Sequence, residues 1–177
     1  MGMRSLLVAV AAGMLTLGIA LPASADTTGG STATVTVTGG LLSITVPTGP
    51  GNLGTRANNV GGGVISGPLG QVQVSDARTA AAGSGWVASV ISTAFTPASG
   101  PAIAASAVGY TAGTITKVGT ATYTANDPPN LTGVAPAVTA TGITGDNSAT
   151  WNPTINVAVP GGMAAGDYLA TVTHSVV

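Results

Sequence analysis

The chain has 177 residues with no cysteine, 27 glycines, and four Lys or Arg against five acidic residues, a formal charge of −1. Without cysteine there can be no disulfide, thiolate metal site or thiol nucleophile, and cations this few cannot displace the counterions of a nucleic acid. With 5% charged residues, solubility rests on Thr, Ser, Asn and backbone amides, a composition suited to a protein held in an assembly or a wall.

The first element is a secretory signal: Arg4, an apolar run from Leu6 to Leu21, and the small-residue cleavage site Ala23-Ser24-Ala25. Gly13, Thr16 and Gly18 interrupt the run and Pro22 follows it, and its length falls slightly below the roughly 20 apolar residues of a bilayer span. Residues 1–25 are therefore expected to be removed, leaving no membrane span. Residues 26–177 are expected to form a single domain, given the usual domain size of about 100–150 residues. The mature part keeps Arg56, Arg78 and Lys117 against Asp26, Asp76, Asp127, Asp146 and Asp167. Neither a lipidated cysteine nor a sorting motif with an apolar tail is present, so attachment to a cell is expected to be non-covalent.

In the mature part Gly, Pro, Thr and Val dominate, glutamate is absent, and no stretch carries apolar residues at helical spacing. Strands are expected instead. Thr32-Ala-Thr-Val-Thr-Val-Thr38 alternates with period two, predicting a strand with Ala33, Val35 and Val37 on a core face. Leu42, Ile44 and Val46 define a second strand, ended by Pro47-Thr-Gly-Pro-Gly51. The stretch to Gly70 reads as loop. Val72 and Val74 mark a third strand, and Trp86, Ala88 and Val90 share one face of a fourth running to Ser92. Between Pro97 and Thr150 only short Thr-rich pieces stand out, Ile115 to Val118 and Thr120 to Thr124, besides the loop Asn126-Asp-Pro-Pro-Asn130. Ile155, Val157 and Val159 form another strand face. With Tyr168 to Val176 it is expected to make a hairpin, the loop running from Pro160-Gly161-Gly162 to Gly166-Asp167. Tyr168, Ala170, Val172, His174 and Val176 share one face of the return strand. Short strands without helical crossovers predict an all-β fold, an antiparallel β-sandwich of immunoglobulin-like type.

Four blocks carry a family resemblance: Leu42-Ser-Ile-Thr-Val-Pro47 with Leu53-Gly54; Val72-Gln-Val-Ser-Asp76 with Arg78; Gly85-Trp86 with Phe95; and Trp151-Asn-Pro-Thr-Ile-Asn-Val157 leading into Tyr168 to Val176. In this order and spacing they resemble the WxL-type cell-surface domain family, and its actinobacterial branch most closely. The founding members carry two Trp-Xaa-Leu signatures; this chain has Trp86-Val87-Ala88 and His174-Ser175-Val176 in their places. The resemblance implies a secreted domain that associates non-covalently with the cell wall, with peptidoglycan as the ligand.

The candidate site residues are Trp86, Trp151, Asp76, Arg78, Tyr168 and His174. An aromatic face can stack on sugar rings, but the alternation of Trp86 with Ala88 and Val90 places it between sheets. Trp151, which precedes Asn152-Pro153, fits a platform or a core equally well. His174 is the residue type of a base or a metal ligand. It lies on the apolar face of its strand with no other good ligand near in sequence, so a buried neutral imidazole donating one hydrogen bond is expected. Asp76 and Arg78, two apart at a strand end and turn, are expected to form a structural clip, pairing with each other or with the backbone of a neighbouring loop, worth little if exposed. Asp127, Asp146 and Asp167 lie beside Gly, Pro or Asn, as turn carboxylates do. No Gly-Xaa-Ser-Xaa-Gly elbow, phosphate loop or His-Glu-Xaa-Xaa-His motif occurs.

These readings predict a non-catalytic surface protein, with no cofactor and no metal, that binds peptidoglycan or a wall-bound partner protein through exposed Thr, Asn and aromatic side chains. A different class of function is a structural subunit that self-associates into a fibre or surface layer by strand addition. The free N-terminal strand expected from Ser31 to Thr38 would supply the added strand. A third reading is a hydrolase built on His174.

Overall fold

The computed structural model describes residues 32–49, 51–79 and 81–177. The segment 1–25, expected to be a secretory signal, lies outside them. Val37–Val177 forms one compact unit.

Alternating apolar and hydroxyl residues make almost every element a strand. In chain order these are β1 (Leu42–Thr45), β2 (Gly63–Pro68), β3 (Val72–Asp76), β4 (Ser84–Ser92), β5 (Thr96–Pro97), β6 (Val108–Thr111), β7 (Thr116–Ala125), β8 (Ala135–Trp151), β9 (Thr154–Val159), β10 (Tyr168–Leu169) and β11 (Val172–Val176). A single 3₁₀ turn, Ala105–Ala107, leads into β6. All strand pairs are antiparallel, and the expected all-β class is what the chain adopts.

The larger sheet has the order β1-β3-β8-β4-β11, with β7 also paired to β8. Its axis is the 17-residue β8. β7 pairs with β8 along Val138 to Thr150, whereas β3 pairs with Asn147 to Trp151 and β4 with Ala135 to Ile143. A strand has two edges, so β3 and β4 must lie end to end along the edge of β8 opposite β7. β1 and β11 then flank β3 and β4 on the outside. Where β3 hands over to β4, β8 carries Gly142 and Gly145 at φ +63° and +71°, which only a residue without a Cβ adopts at little cost.

The smaller sheet is β2-β9-β6 with β9 in the middle, and β10 pairs with β5. One core joins the two larger sheets: Val72, Val74, Trp86, Ala88, Val90, Ala140, Ile143, Ala149 and Trp151 from the first, and Val108, Tyr110, Ile155 and Val157 from the second. Leu131, lying between β7 and β8 in sequence, is fully buried among them. Burying side chains of this size contributes about 1.5–3 kcal/mol each, which offsets the ordering of a glycine-rich chain.

Four expectations need correction. Thr32–Gly40 forms no strand, and Val35 and Val37 are 86% and 88% exposed, because no described strand pairs with the segment. The stretch before Gly70 contains β2, stabilised by pairing Ile65 with Val157. The weak region holds β6 and β8. Finally, β9 and the C-terminal strand are not a hairpin: β9 pairs with β2 and β6, whereas β11 pairs with β4. The loop between them crosses from one sheet to the other, and the return strand breaks at Ala170-Thr171 into β10 and β11.

Candidate functional site

Two buried polar networks absorb most of the candidate residues. The first lies at the junction of β3, β4 and β8. Asp76, 1% exposed, accepts from Nε of Arg78 at 2.8 Å and from its second guanidinium nitrogen at 2.9 Å. The backbone N–H of Arg78 also donates to this carboxylate, at 3.2 Å. Of the two pairings the sequence allowed, Asp76 and Arg78 pair with each other, and because the carboxylate end is buried, loss of Arg78 would leave an unsatisfied charge. Hydrogen bonds from Arg78 hold the Asp76 carboxyl below the usual carboxylate range, against an opposing desolvation.

Asn147 of β8 is the hub of this network. Its Oδ1 accepts from Trp86 Nε1 at 2.9 Å and from the Tyr123 hydroxyl at 3.3 Å, while its Nδ2 donates to Asp76 at 3.3 Å. The Trp86 and Tyr123 rings lie 5.8 Å apart in a tilted arrangement. Asp146 next door accepts from the backbone of Thr79, so the turn between β3 and β4 is tied to β8 on both sides.

The second network joins Trp151, Tyr110 and His174. Trp151 Nε1 donates to the Tyr110 hydroxyl at 2.7 Å, and that hydroxyl lies 3.2 Å from His174 Nε2. Indole is a donor only, so the Tyr110 oxygen accepts from Trp151, and the direction of the Tyr110–His174 hydrogen bond follows the tautomer of the imidazole. His174 is half-buried, which corrects the expectation of a buried imidazole, and makes one hydrogen bond, to the Tyr110 hydroxyl. Burial lowers its pKa to about 4, and burial likewise raises that of Tyr110.

The structure therefore brings Asp76, Arg78 and Trp86 together through Asn147, and Trp151 and His174 together through Tyr110. Tyr168 stands apart, its hydroxyl donating to the Ala164 carbonyl at 2.9 Å. Trp86 and Trp151 are each 2% exposed, so neither offers an open ring face for stacking. Among the described residues every buried side-chain polar atom has a hydrogen-bond partner, and no group of three or more His, Asp or Glu side chains is placed to share a cation.

The outer face of the larger sheet presents a different chemistry. Register aligns Thr45, Gln73, Thr150 and Thr116 in one row across β1, β3, β8 and β7, and Ser43, Ser75, Ser148 and Val118 in the next. Thr45, Gln73, Thr116, Ser43 and Ser75 are exposed, while Thr150 and Ser148 are half-exposed. Four strands at about 4.8 Å spacing make each row about 14 Å long, and the rows lie about 7 Å apart. The first row runs into a shallow depression of about 320 Å³ lined by Gln71, Thr114, Thr116, Thr150, Trp151 and Asn152. The sequence pointed to exposed Thr and Asn in general; which of them align depends on register, which period-two patterning alone does not reveal.

No family model matches the chain, and no curated protein or solved structure is similar to it. Among the described residues no helix is long and apolar enough to cross a membrane.

Proposed function

We propose that this is a secreted, non-catalytic surface protein that associates non-covalently with the cell wall, and that it holds a wall glycan on the outer face of its larger sheet. The observation that carries this reading is the pair of hydroxyl and amide rows, Thr45-Gln73-Thr150-Thr116 and Ser43-Ser75-Ser148. Hydroxyls donate and accept at once, as sugar hydroxyls do, so a row of them can match a polymer of hydroxyls and acetamides at many points. The Thr114-to-Asn152 depression at the end of the first row suits a protruding substituent such as a peptide stem or an acetamido group.

The expected secretory signal and the resemblance to WxL-type domains support peptidoglycan as the polymer. The two tryptophans and His174 act in folding on this reading, because each is engaged in a network of the core. Retention of the mature chain by isolated walls, and its loss when Gln73 and Thr150 are replaced, tests the proposal.

A further inference from the structure

We propose that Thr32–Thr38 of one copy adds as an edge strand to β11 of a second copy, so that the protein assembles head to tail. The inference stands apart from wall binding, since it uses a sheet edge rather than the sheet face.

The donor is a strand without a sheet. Thr32-Ala-Thr-Val-Thr-Val-Thr38 has β-branched residues at six of seven positions and strict alternation, the composition that fits a pleated half-buried surface. Yet Thr32–Thr38 belongs to no strand pair among the described residues, the chain first joining the sheet where Gly40 N–H donates to the Ala77 carbonyl, and Val35 and Val37 stand exposed on one side of the segment. Backbone groups and valines so placed gain by joining a sheet edge.

The acceptor follows from asking which edges are open. On the smaller sheet, β6 is covered by the loop after β7: Tyr110 N–H donates to the Pro128 carbonyl and Ala112 N–H to the Asp127 carboxylate. The edge of β2 is covered by Leu53, whose backbone lies so close to Gly67 that a Cβ there would strike it. On the larger sheet, β7 is broken by two register shifts and carries Lys117, both of which discourage edge pairing. β1, the other outer strand, has only four residues and runs on to Pro47, both of which shorten its usable edge. Apart from its contact with β1, β11 has none of these protections. Its register with β4 runs unbroken from Val172↔Ser92 to Val176↔Ala88, and it contains no proline and no residue charged at neutral pH.

Parity fixes which groups β11 offers. Val177 and Val87 exchange both backbone hydrogen bonds, and Thr93 N–H donates to the Thr171 carbonyl. In an antiparallel ladder the odd residues of β11 therefore bond to β4, and the N–H and C=O groups of Val172, His174 and Val176 point away from it. The side chains of these three are only half-buried, so the core is incompletely covered along this edge. A donor strand of seven residues spans about 23 Å, enough to cover the five residues of β11. Its Val35 and Val37 would lie beside Val172, His174 and Val176, completing the apolar face without bringing charges together.

The test is sedimentation velocity of the mature chain, Asp26–Val177, across a wide concentration range. The wild type is expected to form species that grow with concentration, and an excess of a peptide of sequence Thr32–Thr38 is expected to dissolve them. Val35→Lys with Val37→Lys is expected to remain a monomer with unchanged circular dichroism and unchanged retention on walls, since both side chains are outside the core. A wild type that stays monomeric throughout, whether the segment is free or folds onto its own chain, would overturn the proposal. So would a V35K/V37K variant that assembles like the wild type.

Discussion

The indole N–H of Trp151 donates to the Tyr110 hydroxyl at 2.7 Å, and that contact ties the end of β8 to β6 of the other sheet. Trp151 is 2% and Tyr110 1% exposed, so neither group has water as an alternative partner. Tyr110→Phe strands the indole N–H and removes the hydrogen-bond partner of His174. The expected cost is about 1–3 kcal/mol, the penalty for a buried unsatisfied donor, read as a lower midpoint with an unchanged slope in urea unfolding.

The same network sets a pH dependence. His174 is the only histidine, and burial lowers its pKa to about 4 from an ordinary 6.5. Between these values the unfolded chain binds more protons than the folded one, so stability rises with pH. The contribution is complete above about pH 6.5 and is lost as pH falls toward 4. Allowing for the partial exposure of the ring, the loss is on the order of 1–2 kcal/mol. Asp76, lowered from 3.8 chiefly by its bonds to Arg78, gives a second loss at more acid pH. Denaturation midpoints measured from pH 8 to pH 3 are expected to fall in two stages, and His174→Gln is expected to remove the upper one only.

Asn147 holds the first network together. Asn147→Ala removes the acceptor of Trp86 Nε1 and of the Tyr123 hydroxyl, and a donor to Asp76. With at least one buried donor left unpaired, the expected destabilisation is about 2–3 kcal/mol. Trp86 fluorescence would report the change directly, as a shifted emission maximum in the folded variant and a lower unfolding midpoint.

The bulge of β7 depends on Gly119. It sits at φ +84°, and a Cβ there would lie 2.5 Å from the Asp146 carbonyl oxygen. Gly119→Ala is therefore expected to cost about 1–3 kcal/mol through backbone strain and the clash with β8. Gly133 makes the control: a Cβ there meets nothing within 4 Å, and its φ is not in the left-handed region. Gly133→Ala is expected to leave the thermal midpoint nearly unchanged.

Strands with one buried face were legible from residue types. Val72 and Val74, then Trp86, Ala88 and Val90, then Ile155 and Val157 alternate as expected and are buried as expected. β8 was hidden because its inward positions are Ala137, Val138, Ala140, Ile143, Asn147, Ala149 and Trp151. Most are small or polar, and the bulges at Gly142 and Gly145 break the period. Asn147 sits in the run Gly145-Asp-Asn-Ser148, which has the composition of a turn; its one signal is that it shares the parity of Ala149 and Trp151. Tyr110 could have been found from the alternation of Val108, Tyr110 and Ala112. Pairing between distant strands was not legible. Adjacency in sequence suggested that β9 and β11 form a hairpin, but burial of both faces of the core places them in different sheets. In the same way the Asp76–Arg78 pair was foreseeable from spacing, whereas its attachment to Trp86 required β8 to pass between them.

Co-sedimentation of the mature chain with purified peptidoglycan sacculi tests the central claim most directly, with a Gln73→Ala, Thr150→Val variant beside the wild type. These side chains lie on the outer face, so the variant is expected to keep its stability within about 0.5 kcal/mol. The account predicts that the wild type pellets with the sacculi and that the variant stays largely in solution. Wild-type protein that remains in the supernatant, or a variant that pellets equally well, would contradict it.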